Sequence, residues 1–187
     1  MSINNILGIT ESYKAPERMW EIIKSDHIDR DVIFFRFLEA FRYDVSEDWF
    51  HSWFQEDHAD RSNKKQDFTP MAVARILAEI TDLPFKGSFE KRYDVCSGTG
   101  GLTIAKWQKD IINKGFLNYR PSQFLYICEE LSDRSLPFLL FNFLIRGMNG
   151  IIYHGDVLEK NYKAIYVIVN EKDDALGFSG FIELNKK

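Results

Sequence analysis

Tyr93-Asp94-Val95-Cys96-Ser97-Gly98-Thr99-Gly100-Gly101 decides how the rest of this chain reads. A strand pattern runs into a loop of small residues, and Leu102-Thr103-Ile104-Ala105 then opens a helix. Glycine has no side chain in the way and tolerates positive φ, so a ligand can approach such a backbone closely. The helix that follows offers free N–H groups and a positive dipole end to an anionic or polar group.

Downstream of this loop, strands and helices alternate. The pattern predicts a strand over 92–96, a helix over 100–113, a strand over 123–128 and a helix over 133–146. Ser132 is the expected N-cap of that second helix and Gly147 its terminator. Two more strands are expected at 151–153 and 163–169, and Phe178 to Leu184 adds a last one, antiparallel or at an edge. Strands separated by helices imply a parallel sheet with right-handed crossovers, hence an α/β, Rossmann-like fold.

Upstream, the pattern is helical. Pro16 opens a helix carrying Met19, Trp20, Ile22 and Ile23, and residues 31–42 space Val32, Ile33, Phe35, Phe37, Leu38 and Phe41 for another. Ser46 is placed to cap a short helix with Trp49, Phe50, Trp53 and Phe54. These aromatics read as packing core rather than as a base-stacking surface. A polar connection over 57–67, with Arg61, Lys64 and Lys65, leads to Phe68-Thr69-Pro70. There Thr69 is expected to cap, Pro70 to take the first helical position, and Val73, Ile76, Leu77 and Ile80 to face inward. The division expected is a helical N-terminal extension over 1–60 and an α/β domain over 61–187.

Composition narrows the class. The 187 residues are 45% hydrophobic and 15% aromatic, with 16 Phe, which suits a globular chain with a sizeable core. A formal charge of −4 gives no global attraction to nucleic acid, so any contact with DNA must use a local patch or a partner. Cys96 and Cys128 show no metal spacing and suggest a reducing compartment. His27, His51, His58 and His154 form no ligand set, and Asp57-His58 reads as a solvated pair. The chain shows neither a membrane-span nor a signal-peptide pattern, so a cytoplasmic location is expected.

In a doubly wound sheet, ligands bind outside the carboxyl ends of the strands. Three features fall there: the loop Asp94 to Gly101, Glu129 after Phe124-Leu125-Tyr126-Ile127-Cys128, and Gly155-Asp156 after Ile151-Ile152-Tyr153-His154. An acid at the second strand end can accept hydrogen bonds from both ribose hydroxyls. A carboxylate at the third can accept from the exocyclic amine of an adenine. Taken singly, each is as readily a turn or solvated loop residue; their order and spacing point to a nucleoside site.

As a set, these residues resemble the adenine-N6 DNA methyltransferases, in particular the methylation subunits of type I restriction-modification systems. The resemblance runs over about residues 66 to 170. Gln66-Asp67-Phe68-Thr69-Pro70 resembles the family's aromatic-threonine-proline segment, which closes over the methionine part of S-adenosylmethionine. Asp94-Val95-Cys96-Ser97-Gly98-Thr99-Gly100-Gly101 resembles its first motif, Asp-Pro-x-Cys-Gly-Ser-Gly-Gly, with Val95 for proline and Ser97 for glycine. Tyr126-Ile127-Cys128-Glu129 resembles the segment whose acid binds the ribose, Asn142 and Gly147 match the helix and turn that follow, and Gly155-Asp156-Val157-Leu158 resembles the segment whose aspartate contacts the adenine. The resemblance implies S-adenosylmethionine as cofactor, held by Phe68, Thr69, Pro70, Asp94, Cys96, Ser97, Gly98, Gly100, Glu129 and Asp156.

The fourth motif departs from the family. There an Asn/Asp-Pro-Pro-Tyr/Phe ends the fourth strand, accepts hydrogen bonds from the target amine and stacks on the flipped base. Here Tyr166-Val167-Ile168-Val169 reads as that strand and Asn170 as its only recognisable amine acceptor, but Glu171-Lys172-Asp173 replaces Pro-Pro-aromatic. The 17 residues after Asn170 leave room for one further strand. The reading is an S-adenosylmethionine-dependent, methylase-like protein that reaches DNA adenine with a partner subunit, as a homodimer or hetero-complex. Two alternatives stay open on the residues: a non-catalytic cofactor-binding or interaction module of a phage or restriction-modification system, and a methyltransferase for small molecules or proteins.

Overall fold

The structure, a computed structural model, describes residues 2–51, 53, 69–82 and 87–185. Phe68, Phe54 and the 57–67 connection lie outside the described residues. Five strands form one sheet: β1 Glu90–Val95, β2 Phe124–Glu130, β3 Gly150–Asp156, β4 Asn161–Val169 and β5 Gly180–Asn185, side by side in that order. The helices among the described residues are α1 Ile3–Leu7, α2 Ala15–Lys24, α3 His27–Ala40, α4 Met71–Ile80, α5 Gly101–Lys114 and α6 Leu136–Ile145.

β1, β2 and β3 run parallel, joined by crossovers through α5 and α6. β4 does not continue this pattern. It returns antiparallel to β3, and β5 pairs antiparallel with β4 at the edge. The cause is chain length: only Val157 to Lys160 separate β3 from β4. A parallel return needs a crossover of a dozen or more residues, so four can make only a hairpin. The expectation of a parallel sheet is therefore corrected at β4, while the last strand is antiparallel and at the edge.

Because β1, β2 and β3 advance in one direction, both right-handed crossovers land on the same side of the sheet. Residues directly opposite in adjacent strands share a face. One row of partners is Asp94, Cys128, Ile152 and Tyr166, and helices pack on its side. Thr103 of α5 meets the Cys128 sulfur at 3.4 Å, and Trp20 of α2 packs on the Tyr166 ring at 5.7 Å. The alternate row is Tyr93, Ile127, Ile151, Val167 and Ile182, apolar across all five strands. Among the described residues no helix covers that second face.

The core lies between the sheet and the helices, and the N-terminal helices share it. All ten residues of α6 are buried. Its Phe141 meets Phe34 and Phe37 of α3 edge to face, at 4.9 and 4.8 Å, and Phe50 packs on Phe138. Each such ring stabilises the fold by about 1.5–3 kcal/mol through burial. The buried positions on α3 are Arg30, Phe34 and Phe37, whereas Val32 and Phe35, expected inside, are exposed. α4 also turns the other way from expectation. Ala74 and Ala78 form a small-residue seam against Ala105 of α5, while Val73, Ile76, Leu77 and Ile80 stay exposed. The short side chains let the two helices approach closely, and that contact fixes which face is covered.

Candidate functional site

Asp94, near the end of β1, points to the helix side. Its Oδ2 accepts from the Thr103 hydroxyl at 2.6 Å, so it braces the first turn of α5. Burial raises its pKa above the ordinary carboxylate value, partly offset by the Thr103 bond. Beyond Val95 the chain turns through three left-handed positions, Cys96, Gly98 and Gly100, with φ of 61°, 59° and 99°. The Ser97 N–H extends the sheet by donating to the Glu129 carbonyl at 3.0 Å, and the Ser97 hydroxyl donates to the Asp94 carbonyl at 2.8 Å. A Cβ on Gly100 would stand 2.9 Å from Leu139 Cδ1, so the Leu139 side chain would have to move, and the φ of 99° itself favours glycine. Gly100 is also the N-cap of α5 and supplies no side-chain cap.

Glu130 faces this loop. It accepts from the Gly98 N–H at 2.6 Å and from the Ser132 N–H at 2.7 Å. The Ser135 hydroxyl and the Leu131 N–H bond to it as well, so a ligand hydroxyl would have to share or displace one of these four donors. Burial raises its pKa, and these hydrogen bonds oppose the shift. Glu129, the acid expected to hold ribose, points to the opposite face. Its carboxylate takes hydrogen bonds from the Tyr162 hydroxyl and from Lys160 Nζ, the latter at 3.2 Å. The signal that separates the two was in the strand period: Asp94 pairs with Cys128, so the loop's face belongs to Cys128 and Glu130.

Asp156 ends β3 and caps the turn into β4, accepting from Leu158 N–H at 2.8 Å and Glu159 N–H at 3.1 Å. It stands near the loop. Burial first, then the charges of Glu130, Asp94 and Asp156, push the Cys96 thiol above its ordinary pKa. The negative charge of three carboxylates is thus felt at the loop's exposed cysteine. Such a mouth favours hydroxyl and amine donors and positive charge.

A buried network fastens the loop from behind. The Thr99 hydroxyl donates to Asp48 Oδ2 at 2.5 Å, and Asn142 Nδ2 donates to Asp48 Oδ1 at 3.0 Å and to the Thr99 carbonyl at 2.7 Å. Arg146 donates to Asn142 Oδ1 at 2.7 Å and to the carbonyls of Val45 and Glu47 at 2.8 and 2.6 Å. Asp48 is fully enclosed, and burial raises its pKa against these bonds. No pattern in the sequence singles Asp48 out, since it sits among aromatics in what reads as a packing segment.

Thr69 and Pro70 precede α4 and are exposed. Pro70, not Thr69, is the N-cap, and no side-chain cap is formed. The Met71 sulfur lies 3.4 Å from where a Gly101 Cβ would be, which sets this segment beside the loop. Asn170 is not brought there. The hairpin puts the carboxyl end of β4 beside Asn149, before β3 begins. The loop is level with Tyr153, about 13 Å further along the strands, and β1 lies three strand spacings from β4, which together put Asn170 roughly 20 Å from the loop. Its Nδ2 donates to the carbonyls of Gly147, Asp174 and Gly177 at 3.1, 2.7 and 3.2 Å. The expected amine acceptor is thus a buried tie in the 170–177 turn.

Among the described residues no helix is long and apolar enough to cross a membrane, and no group of three or more His, Cys, Asp or Glu could hold a metal ion. No curated protein matches the chain. A solved structure that matches is the type I restriction-modification system methyltransferase subunit from Streptococcus thermophilus, 22% identical, with a TM-score of 0.44. The match covers 61% of this chain and 23% of that subunit, so this chain spans about a quarter of its length. The model of the N-6 DNA Methylase family matches residues 44–175, from just before Asp48 into the turn that Asn170 ties, and the chain belongs to that family.

Proposed function

We propose that this chain holds S-adenosylmethionine at the carboxyl ends of β1, β2 and β3 and serves methyl transfer to DNA adenine together with a partner. The observation that carries this reading is the left-handed loop Cys96 to Gly101 held at the Gly98 N–H by Glu130, with the charge of Asp156 at the end of β3 also reaching Cys96. The residues fit the cofactor: positive-φ positions clear the backbone, an acid capable of accepting hydrogen bonds stands against the loop, and the surrounding charge is negative. S-adenosylmethionine would supply an electrophilic methyl group on a sulfonium.

In this reading Glu130 takes the ribose hydroxyls, the role the sequence assigned to Glu129. Asp156 accepts from the adenine amine. Ser97, Gly98 and the first turn of α5 lie against the polar chain of the ligand, and Thr69 and Pro70 border its methionine end. Asp94 acts through Thr103 by holding α5 in place. Direct displacement at the methyl group needs positioning above all. Among the described residues, Asn170 is too remote to orient a target amine, so the acceptor groups come from elsewhere, and a partner that also carries the DNA contacts supplies them.

Two assays test this reading. Calorimetric titration with S-adenosylmethionine should give one site per chain. Transfer of labelled methyl to adenine-containing DNA should be negligible for the chain alone and appear with a co-purifying methylase or specificity subunit. Failure to bind S-adenosylmethionine would overturn it.

A further inference from the structure

On the sheet face opposite the helices one row is apolar from edge to edge, with Lys91 beside it on β1 and Glu129 beside it on β2. Tyr93, Ile127, Ile151, Val167 and Ile182 are direct cross-strand partners in one row. Tyr93 and Ile182, at its two ends, are 57% and 63% exposed. Val95, Val169 and Leu184 on the same face are exposed at 43%, 42% and 49%. These five side chains alone leave on the order of 500 Å² open, taking about 150–250 Å² for a large side chain. Contiguous apolar patches beyond a few hundred Å² mark interaction surfaces. With the half-buried residues between them, the face approaches the roughly 800 Å² that each partner gives a stable interface.

We infer that this face packs against the same face of a second copy. Three properties favour a copy of this chain. The row carries no charge, so it meets its own image without like-charge repulsion. Glu129, the acid nearest that row, is already held by Tyr162 and Lys160 at one end of the sheet. The surface is a twisted sheet of mostly β-branched residues, and two such sheets stack about 10 Å apart with side chains interdigitated. The result is a closed twofold dimer with helices outside and two sheets in the middle, leaving both loops of Cys96 to Gly101 at its ends.

The test is sedimentation equilibrium of the full chain over a hundredfold range of concentration. The expected mass at high concentration is twice the 22.0 kDa of one chain. Ile182→Lys, at an exposed position on the outermost strand, should shift the protein to monomer while its circular dichroism is unchanged. Ile80→Lys on exposed α4 should leave the dimer intact. A wild-type chain that is monomeric throughout would overturn the proposal without any variant. So would an Ile182→Lys protein that stays dimeric, or a monomeric wild type bound through this face by a different protein.

Discussion

Asp48 offers the sharpest test of how the loop is held. It accepts three hydrogen bonds, from the Thr99 hydroxyl, from Asn142 Nδ2 and from the Phe50 N–H at 3.1 Å, and it is fully enclosed beside buried Arg146. Asp48→Ala strips the acceptor from all three donors and leaves Arg146 without its nearest buried negative charge. Removing one member of a buried charged network costs about 3–5 kcal/mol. Asp48→Asn has a different outcome. With its amide nitrogen at the Oδ2 position, the remaining oxygen still takes the Asn142 and Phe50 donors, and the Thr99 hydroxyl can rotate to accept. What is lost is the charge, so the cost should fall to about 1–2 kcal/mol. Urea unfolding followed by tryptophan fluorescence measures both, with unchanged m-values as the check on two-state behaviour. A loss below about 1 kcal/mol for Asp48→Ala, or equal losses for the two variants, would refute the network argument.

The remaining expectations concern single positions. Asn170→Ala should cost about 2–3 kcal/mol, because three carbonyls lose a buried donor, yet change S-adenosylmethionine affinity less than twofold in the folded protein; a selective loss of binding would put Asn170 back at the site. Gly147→Ala should prevent stable folding, since φ is 62° and the new Cβ would lie 2.1 Å from the Gly177 carbonyl oxygen; a soluble variant with wild-type melting temperature would contradict this. Glu130 has a raised pKa, caused first by burial. Between the ordinary value near 4.3 and that raised one, the folded state keeps a proton the unfolded state has lost, so stability falls as pH rises through this window. Glu130→Gln should flatten that slope in urea melts from pH 4 upward, and parallel slopes would rule the assignment out.

Local patterns that repeat with a strand or helix period were legible in the chain. The loop from Asp94 to Gly101, the strands on either side and the terminating Gly147 all follow from residues within a few positions of each other. The family resemblance read from these motifs agrees with the match over residues 44–175. What was missed depends on which face a residue takes. Glu129 and Glu130 are adjacent, and only the pairing of Asp94 with Cys128 shows which of them meets the loop. The hairpin after Asp156 was not legible, because the strands expected at 151–153 and 163–169 left nine residues between them, whereas the observed strands run longer and leave four. Ala74 and Ala78 were passed over because a helix is usually read by its large residues, whereas here the small ones make the contact. Asp48 could not be found from spacing, because its partners lie 51 and 94 positions away.

The central claim is that the cofactor mouth is built on Glu130 and the Cys96 to Gly101 loop. Titration of S-adenosylmethionine into wild type, Glu130→Gln and Glu129→Gln tests it most directly. Loss of a charged hydrogen-bond acceptor is worth about 1.5–3 kcal/mol, so Glu130→Gln should weaken binding roughly 10- to 100-fold. Glu129→Gln should stay within about twofold, since that side chain serves Tyr162 and Lys160 on the other face. Equal binding by wild type and Glu130→Gln, with the loss falling on Glu129→Gln, would contradict the account.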